Sequence, residues 1–64
     1  MEFKMEYLGV PVKLYVVVFY NRMVNEIQTM EIAEVNEFRA GREFYRRKSR
    51  HVFTIEHIHT VGGY

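Results

Sequence analysis

The sequence predicts a small α+β domain, a three- or four-stranded, mainly antiparallel sheet with one helix packed on one face. Three observations predict it. Residues 12–20 (VKLYVVVFY) form an extended run in which Leu14, Val16, Val18 and Tyr20 alternate with Tyr15, Val17 and Phe19, so both faces are apolar. Residues 36–48 divide into an apolar and a basic side at helical spacing. Residues 51–61 (HVFTIEHIHTV) return to strand composition after that helix.

In chain order, residues 1–7 (MEFKMEY) alternate Met1, Phe3, Met5 and Tyr7 with Glu2, Lys4 and Glu6, the pattern of a half-buried strand. LGVP then breaks the pattern with Gly9 and Pro11. The doubly apolar strand follows and runs into a tight turn at NR or NRMV, with Asn21 suited to a left-handed conformation. A partner strand over about 24–33 completes a hairpin. Its apolar positions, Val24, Ile27, Met30 and Ile32, hold no strict period, which predicts a bulge or a switch of faces.

A helix is expected from the cap residue Asn36 to Lys48 or Ser49. At about 100° per residue, Phe38, Ala40, Gly41, Phe44 and Tyr45 share one side. Arg39, Arg42, Arg46, Arg47 and Arg50 share the other, with Glu43 among them. Gly41 costs the helix about 1 kcal/mol against alanine, and close approach to the sheet is the expected return. In the last strand, Phe53 and Ile55 share a face that Ile58 does not continue, which predicts a bulge or an end effect there. The element order is therefore β-β-β-α-β, with residues 14–20 central in the sheet. Either Leu14, Val16, Val18 and Tyr20 pack on the helix and Tyr15, Val17 and Phe19 need another cover, or the reverse.

The chain has 64 residues and is expected to be one domain, 1–64. So small a core is marginal, and with no cysteine there is no disulfide to reinforce it, so a partner chain is the expected support. The N-terminus does not read as a targeting segment, and no apolar run approaches the roughly 20 residues of a membrane helix. The expectation is a cytoplasmic protein without membrane contact. Net charge is +1 but unevenly placed. Residues 1–38 carry three basic residues against six glutamates, and residues 39–51 carry six against Glu43 alone.

No catalytic set is visible. There is no Cys and no Asp, and Ser49 is the sole serine. His57 and His59 are spaced to share a strand face, but His-x-His alone is a weak metal signature, and partly exposed strand histidines are the bland reading. The expectation is a non-enzyme without cofactor or metal.

Two surfaces are candidates for binding. One is the arginine arc, Arg39, Arg42, Arg46, Arg47 and Arg50. It suits an acidic protein surface, or nucleic-acid phosphates with Tyr45 stacking on bases, or simply keeps the domain soluble. The other is Tyr15, Val17 and Phe19, as a partner or homodimer interface if the N-terminal strand does not cover them.

A hairpin, then AEVNEFRAGREFYRR entering a helix, then HVFTIEHI closing the sheet, resembles small phage-encoded early proteins that inhibit host factors, the phage T7 inhibitor of bacterial RNA polymerase among them. The resemblance spans residues 12–61 and is one of layout, with the Ala33–Glu34 step into the helix; it transfers no functional residue. The basic helix and the leading strand are departures from that layout. The resemblance implies a protein that occupies a host protein's surface in the host cytoplasm. A nucleic-acid-binding module and an obligate homodimer are the alternatives.

Overall fold

The computed structural model describes residues 6–7 and 9–63. Glu6–Tyr7 (β1) pairs antiparallel with Val10–Pro11 (β2) in a two-stranded sheet of its own. The main sheet holds Lys13–Asn21 (β3), Glu26–Glu34 (β4) and Phe53–Gly63 (β5) in the order β4-β3-β5, all antiparallel. The helix Glu37–Arg47 (α1) connects β4 to β5 and lies across all three strands. The α+β class and the central place of β3 agree with the sequence reading. The main sheet itself has three strands in the order β-β-α-β. Most of the strand expected over residues 1–7 falls outside the described residues.

Which face of β3 meets the helix is decided by its neighbours. Tyr15, Val17 and Phe19 pair across the sheet with Ile32, Met30 and Gln28 on β4, and Val17 and Phe19 with Ile58 and Ile55 on β5. Cross-strand partners project to the same face, so this side is mainly apolar over three strands, with Gln28 beside Phe19 and Thr60 beside Tyr15. Val16 and Val18 pair instead with Glu31 and Thr29, and with His59 and His57. The first side, with Gln28 and Thr60 as its polar partners, strands fewer polar groups on losing water to the helix than the second. Accordingly Tyr15, Val17, Phe19 and Ile32 are buried with Ala40 and Phe44 of the helix, and Val17 and Phe44 are fully enclosed. Phe19 anchors the cluster, 4.9 Å from Phe44 and 5.7 Å edge-on from Phe53 between ring centroids.

Of the two readings expected for β4, a bulge or a switch of faces, the second is found: β4 pairs with β3 in unbroken register, Val24 lies in the turn, and Ile27, opposite Tyr20, sits on the face away from the helix at 58% exposure while Met30 and Ile32 pack toward the helix. The bulge expected near Ile58 is present: β5 shifts register between the partners of Val18 and Phe19, with a second shift between those of Leu14 and Tyr15. In the hairpin turn the left-handed residue is Asn25, at φ 54°, rather than Asn21. Asn21 ends β3, and its Oδ1 accepts from the Met23 amide at 2.9 Å.

Candidate functional site

The helix begins where its cap chemistry dictates. Asn36 is extended, and its side chain accepts from the Arg39 amide at 2.8 Å. Glu37 in the first turn and Arg46 and Arg47 in the last suit the helix dipole. Lys48 ends the helix, its amide donating to the Phe44 carbonyl. Arg50 therefore lies beyond the helix, in the turn before β5, and not on the helical arc expected for it. It folds back so that its guanidinium stands 4.0 Å above the Tyr45 ring.

The arginines are not equivalent. Arg39 Nε reaches Glu34 Oε1 at 3.3 Å. Arg46 grips Glu43 with two bonds, Nε to Oε1 at 2.8 Å and Nη2 to Oε2 at 2.6 Å, and Arg47 Nε adds a third at 2.7 Å. The Arg46 bonds, opposed by partial burial and reinforced by Arg47, hold the Glu43 carboxyl at about 2, against an ordinary 4.5. The same contact raises Arg46. Two carboxylates thus answer three of the five arginines, which leaves the cluster with three net positive charges. Arg42 has no carboxylate partner among the described residues; its guanidinium sits 5.9 Å from the centroid of the Phe38 ring.

Phe38 is the side chain the sequence reading misplaced. It was expected on the packing side and is 73% exposed. The buried stripe is centred on Ala40 and Phe44, and Phe38 lies about 160° around the helix from Ala40 and about 120° from Phe44. It therefore stands at the rim of a shallow groove of about 380 Å³ lined by Glu37, Phe38, Gly41, Arg42, Tyr45, Arg50 and Ile58. One face of the Tyr45 ring, expected to stack on bases, is taken by Arg50; Phe44 packs T-shaped against the ring, and the hydroxyl accepts from the Ile55 amide at 2.9 Å. Gly41 forms part of the groove floor. A Cβ built there would lie 3.6 Å from Ile58 Cδ1 and 3.9 Å from Ile55 Cδ1, so the close helix approach that would demand glycine is not present. On the other flank of Arg42, a polar groove of about 210 Å³ is lined by Glu34, Arg39, Arg42, Glu43 and Arg46. Its two carboxylates disfavour an anion.

Tyr15, Val17 and Phe19, the expected apolar contact residues, are core side chains at 5%, 0% and 4% exposure and present no surface. The sheet face away from the helix is the opposite one, with Leu14, Val16, Val18 and Tyr20 half-buried along its middle. His57 and His59 lie on it with ring centroids 5.2 Å apart, and among the described residues no group of three metal-ligating side chains gathers. No described helix is long and apolar enough to cross a membrane.

No protein-family model, no curated protein and no solved structure matches the chain.

Proposed function

We propose that this chain is a non-catalytic binding protein that acts by covering a surface of another protein. The observation that carries the reading is the groove beside α1: an apolar floor of Gly41, Tyr45 and Ile58, an exposed Phe38 at its rim, and the guanidiniums of Arg42 and Arg50 along it, two against the single carboxylate of Glu37. Aromatic side chains, phenylalanine among them, and arginine are enriched in protein–protein interfaces, and arginine also among the residues that carry most of the binding energy. The groove is open and shallow, suited to one or two inserted side chains of a protein whose surrounding surface is acidic. Arg42 is the contact of first importance, because it needs no carboxylate to be displaced. The outcome we expect, taken from the resemblance in sequence layout alone, is inhibition of a host protein in the host cytoplasm.

In-chain neutralisation disfavours the nucleic-acid alternative. A backbone-tracking protein needs many free cations, and here two carboxylates stand among them. The test is binding to single- and double-stranded DNA and RNA over a salt series, beside binding to proteins of a host extract. Protein capture that Arg42→Glu abolishes supports the proposal. Nucleic-acid binding that weakens steeply with salt, with no protein captured, overturns it.

A further inference from the structure

The face of the sheet away from the helix has an ordered chemistry. Along its middle runs an apolar spine, Leu14, Val16, Val18 and Tyr20. On the β4 side stand Ala33, Glu31, Thr29 and Ile27; on the β5 side, level with Val16, Val18 and Tyr20, stand His59, His57 and Thr54. Glu31 and His59 are both partners of Val16 and so flank it at the same level, one on each edge. Both are exposed, and among the described residues Glu31 makes no hydrogen bond or ion pair.

This pattern is complementary to itself. A twofold axis running along β3, midway between two stacked sheets, lays each β3 over the other and each β4 over the other copy's β5. Levels along the strands are preserved by that rotation. Val16 then meets Val16, and Glu31 of each copy comes opposite His59 of the other, twice. Imidazole offers an N–H donor to a carboxylate whether neutral or charged. The alternative twofold, across the strands, would stack β4 on β4 and β5 on β5, so that Glu31 of one copy never comes opposite His59 of the other. We propose that the sheet face away from the helix is a self-association surface, occupied by a second copy of this chain in the first of these arrangements.

Size sets the strength. Three strands at about 4.8 Å spacing and nine residues at about 3.3 Å cover roughly 400 Å² per copy. That lies at the low end for specific interfaces, so the dimer is reversible and concentration-dependent. The helices then face outward on opposite sides, and each dimer presents two copies of the arginine-flanked groove.

Sedimentation equilibrium on the full chain, from about 10 μM to about 1 mM, reads the association directly. The expected result is a monomer–dimer equilibrium in that range. His59→Glu opposes two carboxylates and raises the dissociation constant about tenfold or more; adding Glu31→Lys to the same chain restores it. Both positions are exposed, and circular dichroism of each variant verifies that the fold persists. A wild-type chain that stays monomeric at the highest concentration overturns the proposal. So does a dimer indifferent to His59→Glu, or a double variant no tighter than the single one.

Discussion

Replacing Gly41 with alanine separates the stability of this fold from the use of its helix groove. The added methyl lands 3.6 Å from Ile58 Cδ1 and 3.9 Å from Ile55 Cδ1, ordinary contact distances at which nothing must move. The helix interior gains about 1 kcal/mol from the lost freedom of the unfolded glycine. Packing of the new carbon adds a few tenths of the about 0.8 kcal/mol of a fully buried methylene. A domain of this size gains about 4–8 °C in melting temperature per kcal/mol. Thermal and urea unfolding followed by circular dichroism should therefore show a rise of at least about 4 °C, with an unchanged urea slope. Because the same methyl occupies the groove floor, partner affinity should fall while stability rises. A destabilised Gly41→Ala would refute the helix–sheet spacing described above. A stabilised variant that binds its partner undiminished would refute the groove as the docking site.

Three further outcomes are expected. Phe44→Ala empties the fully enclosed centre between helix and sheet and should cost about 3–5 kcal/mol, enough to leave a domain of this size largely unfolded by circular dichroism at 25 °C. Glu43 has a depressed pKa in the folded chain, so its contribution to stability is fully present above the ordinary 4.5 and is lost as pH falls through about 2; a carboxyl NMR titration with its midpoint near 4.5 would contradict the Arg46–Glu43–Arg47 geometry. Tyr45→Phe removes the acceptor of the Ile55 amide and should destabilise by about 1 kcal/mol, read as a lower urea midpoint.

The elements of this fold are written locally, and their arrangement is written across strands. Residues 12–20 announce a central strand because both parities are apolar, and Asn36 announces the helix start because its side chain suits an N-cap. The β5 bulge is legible because Ile58 breaks the parity of Phe53 and Ile55. The buried face is not legible from β3 alone, since its two sets are equally apolar. It emerges only when Val16 is set beside Glu31 and His59, and Val17 beside Met30 and Ile58. Phe38 was misplaced because a broad apolar arc on a helical wheel is wider than the stripe a flat sheet can bury. The arginine arc was visible as composition, but Glu34, outside the helix, and the return of Arg50 over Tyr45 belong to tertiary geometry.

Protein docking through the helix groove is tested most directly by comparing wild type, Phe38→Ala, Arg42→Glu and Glu31→Lys as baits in one nuclease-treated host extract, with captured proteins quantified by mass spectrometry. All three substitutions fall on exposed side chains, Phe38 and Arg42 beside the groove and Glu31 on the far face of the sheet. The predicted result is a protein retained by wild type and Glu31→Lys and lost about tenfold or more with Phe38→Ala and with Arg42→Glu. Equal recovery by all four baits, or recovery that depends on nucleic acid, would contradict it.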